Sequence, residues 1–209
     1  MAQILKFPLQ ASKFGYKRVR QRTPPAENPN QLHLFAQPTA QILDLTSGLS
    51  CFEQALFLDE RGDNQAAKLY LKAISENDCA ADAYCNLGII ESKQGNIARA
   101  FDCFTTSLKQ NPRHFEAHYN LGNMYFDAND FRLAQLHYEL AAEIDPVFPN
   151  VHFNLALVQA INNDLVAALS TLTRYQELVS DAQGRDVEEL LQVLRKSLIA
   201  SKHPRSSPS

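Results

Sequence analysis

Three asparagines recur at one interval: Asn86, Asn120 and Asn154 stand 34 residues apart, twice over. A side-chain amide carries both a donor and an acceptor. Each can therefore pair with both polar groups of a peptide unit, whatever side chains that peptide bears. Amides held at even intervals could grip an extended segment. The same chemistry serves a second job, tying one helix to its neighbour, and the residues alone leave both readings open. Where the series would extend toward the N-terminus stands Glu53, so the row has three members.

Catalytic chemistry is sparse. The histidines are His33, His114, His118, His137, His152 and His203. His114 and His118 are four apart, a spacing that can share a metal on a helix face, but no third ligand accompanies them. No glycine-rich phosphate loop, nucleophile elbow or zinc-ligand quartet occurs. The sequence predicts no catalytic residue, no metal and no cofactor, and hence no enzyme. Cys51, Cys79, Cys85 and Cys103 form no C-x-x-C pair. They read as small, buried, reduced side chains, which points to a reducing cytoplasm.

The elements that must carry the asparagines follow from what else repeats. Tyr84-Cys85-Asn86-Leu87-Gly88, His118-Tyr119-Asn120-Leu121-Gly122 and His152-Phe153-Asn154-Leu155-Ala156 are copies of one string. The same offset links Ala100, Ala134 and Ala168, then Phe104, Tyr138 and Leu172, then Pro112 and Pro146. Small residues are needed where two helices cross. The aromatic column fills space between one helix pair and the next. Asn111-Pro112 and Asp145-Pro146 end second helices, because the residue before proline avoids the α region. Gly95 and Asn129 mark tight turns within pairs. A weaker copy precedes these, with Ala55, a Gly62-Asp63 turn, and Ala66, Tyr70 and Ala73 on its second helix.

This pattern resembles the tetratricopeptide repeat, over about two thirds of the chain. The resemblance implies an all-α fold, a right-handed superhelical solenoid of about four helix pairs. Repeats fall at about 48–80, 81–114, 115–148 and 149–182. A capping helix is expected over 185–200, where Val187, Leu190, Leu191, Leu194 and Leu198 recur at helical spacing. The repeat domain then spans 43–200, with a disordered tail at 201–209. In the family, first helices line a concave groove that binds a protein or peptide partner. The asparagine row resembles the ladder in the superhelix of O-linked N-acetylglucosamine transferase. By that geometry Tyr119, Phe153 and Asn123 flank the groove, although packing between helices would also account for them. A family subset grips acidic chaperone tails with basic residues near the starts of first helices. Asp82, Glu116 and Asn150 occupy those places here, which argues against that mode.

Residues 1–42 differ from the rest. They hold Lys6, Lys13, Lys17, Arg18, Arg20 and Arg22 against the single acid Glu27, in a chain whose net charge is −3. With Pro24, Pro25, Pro29 and Pro38 and no sustained periodicity, they read as a basic, mostly disordered arm. Its charge suits nucleic acid, anionic lipid or an acidic partner, or plain solvation. Gln31-Leu32-His33-Leu34-Phe35 resembles the pentapeptide by which bacterial proteins dock on the polymerase sliding clamp. The first expectation is thus an adaptor whose groove takes an extended peptide. Alternatives are a replication or repair accessory docked through Gln31, Leu32, Leu34 and Phe35, and a non-catalytic subunit of an enzyme complex. No apolar run reaches the roughly 20 residues of a membrane span.

Overall fold

The computed structural model describes residues 17–18 and 48–202, the side chains of 181–186 and 200–202 aside. Every regular element among them is helical: α1 (Cys51–Glu60), α2 (Ala66–Ser75), α3 (Ala80–Lys93), α4 (Ile97–Gln110), α5 (Phe115–Asp127), α6 (Phe131–Ile144), α7 (Pro149–Ile161), α8 (Leu165–Leu178) and α9 (Asp181–Lys202). They make four helix pairs, α1–α2, α3–α4, α5–α6 and α7–α8, followed by α9. The chain divides into two compact units. One holds Arg18 and α1–α4, the other Lys17 and α5–α9.

One turn device closes all four pairs. Gly62, Gly95, Asn129 and Asn163 lie two residues past the ends of α1, α3, α5 and α7, with φ of 71°, 81°, 60° and 65°. Glycine and asparagine tolerate this left-handed backbone best. The next residue then donates its N–H back to the helix it leaves: Asp63 to Leu58 at 2.9 Å, Asn96 to Glu91 at 2.9 Å, Asp130 to Tyr125 at 2.9 Å and Asp164 to Gln159 at 2.8 Å. In the last two pairs that aspartate also opens the second helix. Asp130 accepts from Leu133 N–H and Asp164 from Ala167 N–H, each at 3.1 Å. A single residue thus ends one helix and caps the next.

In α1, Ser50 Oγ accepts from Glu53 N–H at 3.3 Å, and the Glu53 carboxylate accepts from Ser50 N–H at 2.9 Å. Glu53 is therefore committed to a capping box at the place where the other repeats carry asparagine.

In the α1–α4 unit the core is built on Phe52, Ala55, Tyr70, Ala83, Ile89 and Phe104. In the α5–α9 unit one cluster gathers Phe115, Tyr119, Tyr138, Val151 and Leu155, and another Phe153, Leu172, Tyr175, Val187 and Leu191. The aromatic column does two jobs. A Cβ built on Gly88 would lie 2.9 Å from the Phe104 ring, and one on Gly122 would lie 2.5 Å from the Tyr138 ring. The rings therefore cover the glycine of their own pair. Tyr138 also packs with Val151 and Leu155 of the next pair.

Two details depart from expectation. The last helix begins at Asp181, four residues early, since Val179 and Ser180 alone separate it from α8 and no proline delays it. Of the cysteines only Cys85 is buried. Cys51 and Cys103 are half-buried and Cys79 is exposed, on left-handed backbone ahead of α3.

Candidate functional site

Equivalent in sequence, the three asparagines have different neighbours. In the α1–α4 unit, Asn86 of α3 is buried and its Nδ2 donates to the Tyr70 hydroxyl of α2 at 3.2 Å. Tyr70 in turn donates to Asp59 Oδ2 of α1 at 3.2 Å. Arg18 Nε completes the relay, 2.8 Å from the same oxygen. Burial pushes the Asp59 carboxyl up, while the Arg18 charge and the Tyr70 hydroxyl pull it back. Burial likewise pushes the Tyr70 phenol up, and the nearby Asp59 charge adds to that.

In the α5–α9 unit, Asn154 of α7 is also buried. Its Nδ2 donates to the Tyr119 hydroxyl at 3.3 Å and to Asn123 Oδ1 at 3.2 Å, both on α5. Asn123 Oδ1 accepts in addition from the Tyr138 hydroxyl of α6 at 2.7 Å. One carbonyl oxygen thereby joins three helices. Asn86 and Asn154 both tie helices together.

Asn120 makes a different contact. Its Oδ1 accepts from the main-chain N–H of Lys17 at 2.8 Å, and its Nδ2 donates to the Lys17 carbonyl at 3.0 Å. The amide takes both polar groups of one residue, as a neighbouring strand would. The sequence explains part of this divergence. Sixteen residues before Asn86 stands Tyr70, which supplies its hydroxyl. Sixteen before Asn120 stands Phe104, which has none to supply.

The Lys17 side chain has its own surroundings. Its Nζ lies 4.0 Å from the centroid of the Phe115 ring and 3.9 Å from that of Phe148, within cation–π range. Asp145 Oδ2 is 3.7 Å away. The two rings meet edge to face, 5.2 Å apart at 76°, so their faces form a corner. Phe115 opens α5, Asp145 ends α6 and Phe148 caps α7. The corner therefore exists because Asp145-Pro146 stops one helix and Phe148-Pro149 starts another, three residues on. Tyr119 backs both rings, stacked on Phe115 at 6.1 Å and edge-on to Phe148 at 5.5 Å.

Of the other residues expected to flank a groove, Tyr119 and Phe153 are enclosed in the core and Asn123 is the shared acceptor just described. Sequence reasoning missed Phe115, Asp145 and Phe148. Phe115 and Phe148 carry no repeating signal, since the positions 34 residues before them are Ala81 and His114, and Asp145 reads in the sequence only as the stop of a second helix. Gln31, Leu32, Leu34 and Phe35 lie outside the described residues.

The four histidines among the described residues, His114, His118, His137 and His152, make contacts within the fold. His118 Nε2 pairs with the Pro112 carbonyl at 3.1 Å and His152 Nε2 with that of Pro146 at 2.9 Å, one device in successive repeats. His118 and His137 share a hydrogen bond between their Nδ1 atoms at 3.0 Å, so one donates and the other accepts. His114 accepts from Ala117 N–H at 3.2 Å, as the cap of α5. Among the described residues no three His, Cys, Asp or Glu side chains gather as metal ligands. No helix there is long and apolar enough to cross a membrane.

Comparison with known proteins bears on the same helices. The tetratricopeptide repeat family model matches residues 85–147 and 125–183. The matched stretch, 85–183, is slightly under half of the chain. Human tetratricopeptide repeat protein 6 is 28% identical over 102 residues, 49% of this chain and 20% of its own length. The chain thus aligns with about a fifth of that relative. Among solved structures, MamA from Desulfovibrio magneticus RS-1 superposes with a TM-score of 0.54 at 17% identity, over 74% of this chain and 94% of that one. The first tetratricopeptide domain of Spaghetti (RPAP3), bound to the HSP90 peptide SRMEEVD, does so with a TM-score of 0.51 at 20% identity, over 57% and 93%. These likenesses show an all-α fold of the tetratricopeptide solenoid kind.

Proposed function

We propose that this chain is a non-catalytic adaptor whose repeats hold an extended segment of a protein partner by its backbone, with Asn120 as the gripping residue. The observation that carries this is the paired hydrogen bond from Asn120 to the N–H and carbonyl of Lys17. An amide spent in this way reads main chain and not sequence, which suits a site built for extended peptides. Asn86 and Asn154 support the repeats instead of touching the ligand.

The acidic peptide held by the Spaghetti domain is a poor guide to the partner here. Asp145 lies 3.7 Å from the ammonium of the residue that Asn120 holds, and Glu116 is buried at the start of α5. An acidic segment would meet like charge. No observation favours docking on a sliding clamp or membership of an enzyme complex.

The test is affinity capture with the full chain and with its Asn120→Ala variant, each captured protein then being tiled as peptides. Two hydrogen bonds at a net 0.5–1.5 kcal/mol each amount to about 1–3 kcal/mol, or roughly a five- to 150-fold loss of affinity. The expected result is that extended peptides bind the wild-type chain and are lost by that factor on the variant. A variant with wild-type melting that holds the same peptides equally well would overturn the reading.

A further inference from the structure

We propose that the corner formed by Phe115, Phe148 and Asp145 is a lysine-reading subsite, and that Lys17 is its resident occupant in cis. A partner segment would have to displace it. This rests on the backbone-gripping role of Asn120 and adds a side-chain specificity to it.

Three observations converge on one atom. The Lys17 ammonium sits about equally close to two aromatic faces and is also within ion-pair distance of a carboxylate. Both rings are packed from behind by a third, Tyr119. The main chain of the same lysine is held by Asn120. Backbone grip sets where the side chain departs, and the corner then selects what that side chain carries. A compact ammonium on a flexible stem can enter a corner of two perpendicular rings. A planar guanidinium prefers to lie flat on one face. The preferred ligand is therefore an extended protein segment with lysine at the gripped residue.

Occupancy in cis follows from the same contacts. The Lys17 side chain retains 27% of its exposure, so it is seated but not sealed in. The next residue, Arg18, meets Asp59 in the α1–α4 unit at 2.8 Å. A tethered segment competes at an effective concentration in the millimolar range. A free segment of equal quality would seldom win against it.

The experiment uses the full chain and a labelled peptide spanning residues 12–22, followed by fluorescence polarisation. Four chains are compared: wild type, Lys17→Ala, Lys17→Ala with Asn120→Ala, and Lys17→Ala with Asp145→Asn. Each is first checked for unchanged melting. Asp145→Asn keeps an acceptor for the Val147 N–H that lies 3.4 Å from Asp145 Oδ1. The peptide is offered with lysine, norleucine or arginine at position 17. Expected are at least tenfold tighter binding of the lysine peptide by Lys17→Ala than by wild type, and at least tenfold weaker binding when norleucine replaces lysine. The arginine peptide and the Asp145→Asn chain should each lose threefold or more. If the lysine and norleucine peptides bind Lys17→Ala alike, and both are lost with Asn120→Ala, the lysine subsite is overturned while the backbone grip stands. If Asn120→Ala changes nothing, both fall. Equal peptide binding by wild type and Lys17→Ala would overturn occupancy in cis. So would a dimer of the wild-type chain that Lys17→Ala dissolves, because the occupant would then be a second copy's arm.

Discussion

The α3–α4 and α5–α6 pairs carry the same string of small, polar and aromatic columns, yet they treat their asparagine and their glycine differently. In α3–α4, Asn86 is bound to a tyrosine hydroxyl, and Gly88 faces Phe104, a ring with no polar anchor. In α5–α6, Asn120 meets a peptide backbone, and Gly122 faces Tyr138, whose hydroxyl is fixed to Asn123. One exchange, Phe104 against Tyr138, separates a ring without a hydroxyl from one whose hydroxyl is anchored. A repeat column therefore specifies shape, while the hydroxyls and amides around it differ in how they pair.

The largest expected effect tests the anchored ring. Alanine is worth about 1 kcal/mol more than glycine within a helix, so any net loss at these positions is steric. At Gly122 the added carbon falls 2.5 and 2.6 Å from ring atoms of Tyr138, and Gly122→Leu should cost on the order of 3 kcal/mol. Melting should drop by roughly 6–12 °C for a chain of this size. At Gly88 the nearest ring atom is 2.9 Å away, and the Phe104 ring has no hydroxyl bond to break if it moves. Gly88→Ala should stay within about 0.5 kcal/mol of wild type, since helix propensity offsets the clash. Equal losses for Gly88→Ala and Gly122→Ala in urea titrations would erase the distinction between the rings.

The asparagines provide the next contrast. Asn154→Ala leaves the buried Tyr119 hydroxyl short of a partner, and Asn86→Ala does the same to Tyr70. Each should cost about 1–3 kcal/mol of stability. Asn120→Ala should move stability less than Asn154→Ala, because the two hydrogen bonds it makes to Lys17 reach the arm and alanine favours helix. A stability loss at Asn120 as large as at Asn154 would show that it too is a tie within the fold.

The smallest effect is read by acid. Burial, helped by the neighbouring His118, pushes His137 down to about 4, and burial pushes His118 down as well. Below the ordinary histidine value of about 6.5 the unfolded chain takes up protons that the folded pair resists. Stability is therefore complete above about pH 6.5, falls as pH drops toward 4, and loses nothing further from His137 below that. With partial exposure discounted, the loss is about 1–2 kcal/mol. Denaturation midpoints at pH 7 and pH 4.5 should differ by this amount more in wild type than in His137→Gln. Equal differences would mean that the pair does not control the slope.

Periodicity alone was enough to read the helix pairs. The 34-residue interval, the alanine columns and the positive-φ residues at Gly62, Gly95 and Asn129 are local or strictly repeating, so each leaves a mark in the sequence. Glu53 broke the asparagine row visibly, although its capping-box role needed the geometry of Ser50. The partner of each asparagine was decided only in three dimensions. Asn86, Asn120 and Asn154 are the same residue in the same string, and what separates them is a hydroxyl or a backbone supplied from 16, 103 and 35 residues away. The corner around Lys17 is further from reach. It takes the first residue of one helix, the last cap of a second and the opening cap of a third, and adds an arm residue about a hundred positions earlier. Repeats advertise what every copy shares, whereas a site arises where copies differ and distant chain meets them. Only tertiary packing brings those differences together.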